Sequence, residues 1–521
     1  MRLLDLAVLG AGLCLLLAGV AVAQERFDPR SVPAYGRSHA EVYRYIREHE
    51  ARHLENLQRW LRQPSISADR AATLRMAHLL REELSALGCQ EAELMETPGN
   101  PGVWAWCDEG APTTIVVYLM YDVQPAERSE WQVDPFAAEV VQHADLGRVL
   151  MARGATDKKG PQRAFLNAVE SVRRTAGRLP VNLMFAAEGE EELGSPHYAQ
   201  ILRKYADRLR TASGVLFPSN AQNVDGSVSM NLGAKGLLYF EMAAQGGARG
   251  GPARGDIHSA NKAIVDAPTW RLTQALASLT SADGNRVLVP GYYQAIREPS
   301  ADELRLFDAA QPGWSAREQT FKSSLGVARW SESRDAAKAS FEYFFGTTLN
   351  IAGISSGYTG EGMKTILPGR AVARLDARLV PDQDPDAQLQ LIRRHLDRHG
   401  FEDIELRKIA GYPAAQSSLS DPFTRAVIGT LNKYGRPPQV APRHPGSSPY
   451  YVFTKELDLP FVATGLGYGR DAHGANELMV VTPKEHSGLA GLPEMEMFFV
   501  DLLFAWGSGR GSPARASEGE E

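Results

Sequence analysis

The chain has 521 residues, of which 44% are hydrophobic and 23% are charged, and its formal net charge is −6 at pH 7. This length favours at least two domains, and the composition is that of an ordinary globular protein. The negative net charge and the lack of any block of like charges in the sequence argue against nucleic acid as a partner.

The first 23 residues have the pattern of a signal peptide. Arg2 gives a positive start, residues 6–20 are an apolar stretch too short to span a membrane comfortably, and residues 21–23 read Ala-Val-Ala, an export cleavage site. We therefore predict a periplasmic or secreted protein without stable membrane association after cleavage. Because Asp5 is an unfavourable charge near the start, a retained membrane anchor is the alternative.

Two cysteines remain after export, and they flank a strong turn signal. Residues 97–101 read Thr-Pro-Gly-Asn-Pro and separate possible strands at 89–96 and 102–108. In such a hairpin Cys89 and Cys107 would lie nearly opposite each other. They form either a disulfide, which an oxidising compartment permits, or two buried free thiols.

Strands alternate with helices in the first part of the chain. This alternation predicts a parallel sheet covered by helices on both faces. Pro161 opens one of the helices, at a position in the first turn where proline is well tolerated. The predicted elements are helices at 39–62 and 71–87, a strand at 113–120, a helix at 161–174, and strands at 181–187 and 214–217.

The pattern changes near residue 234, and residues 237–413 resemble an inserted α+β domain. The insert is predicted to hold strands at 237–243 and 371–380 and helices at 268–279 and 385–399. The first pattern then resumes with helices at 421–434 and 447–457, a strand at 460–467, and a helix at 485–505. The predicted domains are 24–236 together with 414–506, and the insert; residues 507–521 form a disordered tail.

Carboxylates crowd into the turn after the buried strand at 181–187. Residues 188–195 read Glu-Gly-Glu-Glu-Glu-Leu-Gly-Ser, and the carboxyl end of a parallel strand is where open α/β sheets place ligands. Like charges are costly to bring together unless a cation or a proton compensates them. The segment therefore predicts a hydrolytic site in which one carboxylate binds a metal and another carries a proton. A solvated acidic turn is the alternative.

Four segments stand at strand ends or in loops, at 120–125, 153–160, 188–195 and 471–477. Together they resemble the zinc peptidase and deacylase family that includes carnosinase, carboxypeptidase G, aminoacylase and acetylornithine deacetylase. Residues 357–368 and 378–383 of the insert are similar to the dipeptidase branch. The resemblance implies an α/β fold with a mixed, mainly parallel, zinc aminopeptidase-like sheet and an inserted α+β lid and dimerisation domain.

The family pattern is a pair of zinc ions bridged by one aspartate. By motif position, the resemblance implies that Asp157 is the bridge and that Glu192 and His473 complete the ligands of one zinc. It implies that Glu191 activates water. It also implies that Asp122 orients a histidine two residues earlier, as is usual for a ligating imidazole.

The sequence departs from the family at the other zinc. Met120 stands where that histidine would be, and a thioether is a poor zinc ligand beside hard oxygen donors. Asn220 stands at the position of the second-zinc aspartate, and Lys158 follows the bridge in place of an acidic or amide residue. We therefore predict one zinc ion per chain, with Lys158 supplying the charge of the missing ion. The alternatives are a lysine that points away and a relic site without metal.

Four further residues are assigned to the site, His258 by the resemblance and the other three by their chemistry. His258 would reach across a homodimer to stabilise the oxyanion. Arg378 would bind a substrate carboxylate, with backbone donors from Gly446 and Ser447 near a helix start. A purely structural histidine and an ordinary strand arginine are the alternatives.

These residues predict an exported, dimeric, metal-dependent hydrolase of amide bonds in dipeptides, other small peptides or N-acyl amino acids. Its general base would be Glu191, assisted by one zinc. One rival is a catalytically inactive peptide-binding homologue, which Met120 and Asn220 favour. Another is a hydrolase that works without metal and uses Lys158 as its charge.

Overall fold

The computed structural model describes residues 26–331 and 334–508. The predicted signal peptide at 1–23 lies outside these residues. So do residues 509–521 of the tail predicted at 507–521, but Gly507 is not part of a disordered tail, because it ends the last described helix. No helix within the described ranges combines the length and the apolar character that a membrane span requires.

The described residues form twenty β-strands and twelve α-helices. The strands are β1 (Glu91–Met95), β2 (Gly102–Cys107), β3 (Thr114–Met120), β4 (Glu139–His143), β5 (Gly147–Met151), β6 (Asn182–Glu188), β7 (Val215–Pro218), β8 (Ser229–Asn231), β9 (Gly233–Gln245), β10 (Ile257–His258), β11 (Asn350–Ser356), β12 (Ile366–Leu367), β13 (Arg370–Leu379), β14 (Glu405–Tyr412), β15 (Ala415–Gln416), β16 (Gln439–Ala441), β17 (His444–Ser447), β18 (Phe461–Thr464), β19 (Gly469–Arg470) and β20 (Leu478–Pro483). The helices are α1 (Ala40–Glu48), α2 (Glu50–Arg62), α3 (Arg70–Ala86), α4 (Lys159–Ala176), α5 (Tyr198–Lys204), α6 (Ala206–Leu209), α7 (Pro268–Leu279), α8 (Ala301–Ser324), α9 (Ala336–Phe345), α10 (Pro385–Arg398), α11 (Pro422–Lys433) and α12 (Leu492–Gly507).

The largest core lies around a six-stranded sheet in the order β1-β2-β6-β3-β7-β18. Strands β6, β3, β7 and β18 are parallel, whereas β2 pairs with β6, and β1 with β2, in antiparallel fashion. Strand β6 is buried along its whole length, as expected for a parallel strand covered on both faces. The predicted mixed, mainly parallel sheet is therefore confirmed.

The first two strands form the predicted hairpin. Glu91 pairs with Trp106 and Met95 pairs with Gly102. Cys89 and Cys107 are joined as a disulfide, with Cα atoms 4.0 Å apart. Of the two alternatives for these cysteines, the structure has the bridge.

A four-stranded antiparallel sheet in the order β19-β20-β5-β4 lies beside the main sheet and was not predicted. Its strand β5 leads into the loop that carries Asp157, and the β19–β20 hairpin carries residues 471–477. This small sheet therefore brings two of the four sequence motifs next to each other.

A third sheet, in the order β11-β13-β9-β14, is formed by the region predicted as the insert. Strand β13 alternates between buried and exposed residues, and its buried side chains share a core with α7 and α10. The predicted strands and helices of this region are confirmed. Strands β11 and β14 and helices α8 and α9 were not predicted.

Three predicted helices differ from the structure. The helix predicted at 485–505 begins only at Leu492, as α12. The helix at 39–62 is divided into α1 and α2 around His49. The prediction of a helix at 447–457 is wrong, because the chain forms strand β17 and then only a short π-helical turn at Val452–Glu456. Pro445 and Pro449 remove backbone donors there, which prevents a regular helix.

Candidate metal centre

Three side chains from distant parts of the chain meet at the edge of the main sheet. His473 Nε2 lies 3.0 Å from Asp157 Oδ2 and 3.0 Å from Glu192 Oε2. Asp157 precedes α4, Glu192 follows β6, and His473 lies in the β19–β20 hairpin. Among the described residues, these three form the group of potential metal ligands, with donor atoms within 4.8 Å of one another.

The chemistry of this donor set fits a zinc ion. Two carboxylates and one imidazole are ordinary zinc ligands, and three protein ligands leave a position for water or substrate. Hydrogen bonds from His473 to Asp157 and Glu192 raise the pKa of the imidazole to about 10. Burial opposes ionisation of Asp157, yet Lys158 and His473 hold the pKa of this carboxyl well below its usual value. A divalent cation would therefore displace a proton from His473.

Backbone strain marks the ligand loop. His473 has a φ of 63°, in the left-handed region that a side chain with a Cβ seldom occupies. Its side chain is 56% exposed, whereas that of Glu192 is 2% exposed. The site is thus closed on the glutamate side and open to solvent on the histidine side.

Glu477 holds the Asp157 loop in place, a role that the sequence reasoning missed. Its carboxylate accepts hydrogen bonds from the backbone N–H groups of Gly154, Thr156 and Asp157, at 2.8–2.9 Å. It also pairs with Arg153 at 2.9 Å. A glutamate at the end of the 471–477 motif was visible in the sequence, but its partners only become apparent when the two loops meet.

Asp122 has a different task from the one the resemblance implied. With Met120 in place of a histidine, no imidazole lies two residues before it, and Asp122 instead accepts the N–H groups of Glu191 (3.2 Å) and Glu192 (3.1 Å). The hydroxyl of Ser67 donates a third hydrogen bond at 2.8 Å. Burial raises the pKa of Asp122 to about 7. Asp122 therefore positions the turn that carries Glu191 and Glu192.

The acidic turn divides its four carboxylates between two tasks. Glu188 accepts hydrogen bonds from Tyr118 and Ser195, and Glu190 is bonded to His197. Glu192 belongs to the ligand group, and burial and the charges of nearby carboxylates, Glu192 foremost, raise the pKa of Glu191 to about 8. The alternative of a simple solvated turn is wrong, since Glu188 and Glu190 are buried.

The two replaced ligand positions lie where neighbouring strands end. Met120 ends β3 and is buried in an apolar cluster with Phe217. Asn220 follows β7 and donates to Thr156 Oγ1 at 3.0 Å, while its Oδ1 is buried without a hydrogen-bond partner among the described residues. Neither side chain offers a good ligand for a second zinc.

Lys158 points into the site. Its Nζ lies 3.3 Å from Asp157 Oδ1, and its side chain is 29% exposed. The peptide bond between Asp157 and Lys158 is cis. The alternative of a lysine directed away from the site is wrong.

The remaining assigned residues do not join the three ligands directly. His258 makes only local hydrogen bonds among the described residues, with Ala260 and Asn261. Arg378 pairs with Asp376 at 3.6 Å. Partial loss of solvation lowers the pKa of His444, and the charges of Lys158 and Arg378 lower it further, so both cations lie within electrostatic range of this imidazole.

Gly446 and Ser447 are placed differently from the prediction. They lie on strand β17 and not near a helix start, because Pro445 and Pro449 prevent a regular helix there. The N–H of Gly446 donates to His444 Nδ1 at 3.0 Å, and the hydroxyl of Ser447 donates to the carbonyl of Gly236 at 2.7 Å.

A sequence model of peptidase family M20/M25/M40 matches residues 118–485. The chain belongs to this family. The matched range contains the three grouped ligands and the Glu191 turn, and the chain is accordingly a metallopeptidase.

Characterised relatives of this chain include dipeptidases. The Cys-Gly metallodipeptidase DUG1 of Candida albicans is 27% identical over 465 residues, which are 84% of this chain and 92% of the relative. The Beta-Ala-His dipeptidase of Homo sapiens is 28% identical over 378 residues, which are 68% of this chain and 71% of the relative. Among solved structures, an M20 family metallo-carboxypeptidase from Sulfolobus solfataricus is 31% identical, with a TM-score of 0.78 over 88% of this chain and 99% of that one.

The comparisons contradict the predicted location. The Cys-Gly metallodipeptidases of Candida albicans and Saccharomyces cerevisiae, which match 84% and 80% of this chain, are cytosolic or intracellular enzymes. The prediction of a periplasmic or secreted protein is therefore wrong. It depended on residues 1–23, which lie outside the described part of the chain.

Proposed function

We propose that this metallopeptidase hydrolyses the amide bond of dipeptides, other small peptides or N-acyl amino acids, with one zinc ion held by Asp157, Glu192 and His473. The observation that carries the proposal is the convergence of these three donors beside Glu191. The dipeptidases among the relatives support small peptides as substrates.

The chain's own residues account for the proton transfers. Zinc, when bound, supplies a Lewis acid for the carbonyl and lowers the pKa of water. Glu191 accepts a proton from the attacking water and returns it to the leaving amine. The raised pKa of Glu191 suits this exchange. A carboxyl group with a pKa near neutral pH can both accept the proton from water and release it to the amine.

A homodimer would complete the site. Strand β11 is an exposed edge of the third sheet, with Ile351 45% and Ile354 60% exposed, and such an edge favours pairing with another strand. We propose that residues 237–413 are the lid and dimerisation domain, between catalytic parts at 24–236 and 414–506. In the dimer, His258 reaches the partner's site to stabilise the oxyanion, while Arg378 binds the substrate carboxylate with Gly446 and Ser447 nearby.

The experiment measures metal and activity on the same sample. We expect about one tightly bound zinc per chain after dialysis, and hydrolysis of members of a panel of dipeptides and N-acyl amino acids. Two zinc ions at high occupancy would contradict the single-ion proposal. A protein that binds no zinc even after supplementation, and hydrolyses nothing, would be an inactive peptide-binding homologue; hydrolysis without zinc would make it a metal-free enzyme.

A further inference from the structure

The two oxygens of the Asp157 carboxylate face different partners. Oδ2 lies 3.0 Å from His473 Nε2, on the side of the proposed zinc site. Oδ1 lies 3.3 Å from Lys158 Nζ. A carboxylate that bridges two metal ions gives one oxygen to each of them. Here an ammonium group stands at the oxygen that a second ion would take.

The ammonium also lies at the strand ends where both other ligands of a second ion are missing. Lys158 Nζ is 6.0 Å from the centre of the Phe217 ring on β7. Strands β3 and β7 are parallel neighbours, and Met120 ends β3 while Asn220 follows β7. Met120 and Phe217 belong to one buried apolar cluster. The three replacements thus share one location.

We propose that the Lys158 ammonium takes the place of the second metal ion, so that the site combines one exchangeable zinc with one cation built into the chain. This inference rests on the proposed single-zinc hydrolase. The ammonium is a compact charge with three donor hydrogens and no acceptor. It balances Asp157 Oδ1 and can donate a hydrogen bond to a substrate oxygen as that oxygen gains negative charge. Unlike a zinc ion, it cannot accept the lone pair of a ligand.

The first test removes the charge and keeps the shape of the side chain. In Lys158→Met, Asp157 loses a competing cation, so we expect zinc to bind about threefold tighter or more. Turnover should fall by about tenfold or more, because the substrate oxygen no longer receives a hydrogen bond from the ammonium as it gains negative charge. Lys158→Arg, which keeps the charge, should bind zinc within about threefold of the parent. A merely structural lysine would instead weaken zinc binding, and either weaker binding or unchanged turnover in Lys158→Met overturns the inference.

The second test counts zinc ions when the missing ligands are restored. We expect one zinc per chain in Met120→His/Asn220→Asp, because the ammonium still excludes a second ion, and two when Lys158→Asp or Lys158→Asn is added. Asp122 lies two residues after position 120, as a histidine ligand there would require. Circular dichroism of each variant checks that it is folded.

The number of zinc ions bound by each variant distinguishes the possible outcomes. Two zinc ions in the double variant would show that Lys158 does not occupy the second position, and one zinc in a folded triple variant would contradict the location of that position. Both results leave the proposed function intact if the parent holds one zinc and hydrolyses peptides. A parent that holds no zinc and hydrolyses nothing contradicts the proposed function itself. If the triple variant does not fold, the Lys158→Met measurement decides alone.

Discussion

Glu191 and Glu192 are adjacent in the chain, and we propose separate tasks for them. If Glu191 is the general base, Glu191→Gln should retain the zinc of the parent and lose at least roughly a hundredfold in turnover. Glu192→Gln, its matched partner, should lower zinc affinity because a ligand is lost. Zinc titration and steady-state kinetics on both variants check this. Similar turnover in Glu191→Gln and the parent would remove Glu191 from the reaction.

Single residues show where sequence reasoning reached the site and where it stopped. Asp157, Glu192 and His473 could be grouped because each matches a ligand position in the motifs that resemble the zinc peptidase and deacylase family. The direction of Lys158 could not be predicted, since its flexible four-carbon stem allows the ammonium to point into or away from the site. The groups that donate hydrogen bonds to Asp122 depend on which backbone turn folds against it, and no local sequence pattern shows that.

At the scale of elements, the short turn at Glu191–Leu193 depends on Asp122. Asp122→Ala should leave the N–H groups of Glu191 and Glu192 without their acceptor, at about 1–3 kcal/mol for each buried group. We expect lower unfolding free energy and weaker zinc binding, measured by denaturant titration and by competition with a chelator. Asp145→Ala, at an exposed position between β4 and β5, is the control and should change neither. Parent-like zinc affinity in Asp122→Ala would show that the turn holds its shape without Asp122.

The elements that escaped prediction share a physical reason. Strand β4 is short and half exposed, so it lacks the apolar run or strict alternation that marks a strand. Helix α8 contains Pro312, and proline inside a helix usually indicates its end. The long, apolar β3 and β6 were predicted nearly residue by residue, because burial on both faces leaves a strong signal.

For the whole molecule, zinc should stabilise the fold more strongly as pH rises. In the metal-free protein the pKa of His473 is raised to about 10, whereas in the unfolded chain it is near 6.5. Protonated His473 therefore stabilises the folded state fully below about pH 6.5, and this stabilisation is lost as pH rises through about 10. Zinc must displace the same proton, so its apparent affinity should rise about tenfold per pH unit between pH 6 and 8. The difference in Tm between zinc-loaded and chelated protein should widen over this range.

His473→Gln is the control for this pH dependence. Its side chain holds no titrating proton, so the Tm difference should be small and nearly constant between pH 6 and 8. The same widening in His473→Gln as in the parent would assign the proton to another group.

The distribution of the ligands along the chain has a consequence for biosynthesis. Asp157 and Glu192 are made before the third sheet, and His473 is made after it, in a hairpin whose strand β20 pairs with β5. A nascent chain that still lacks this hairpin presents two carboxylates without the imidazole. In the proposed site the complete ligand set can therefore form only after nearly all the described residues have been synthesised, so zinc held by all three ligands cannot guide the folding of the first half. If the proposed site is the catalytic one, the chain gains activity only after β20 has paired with β5.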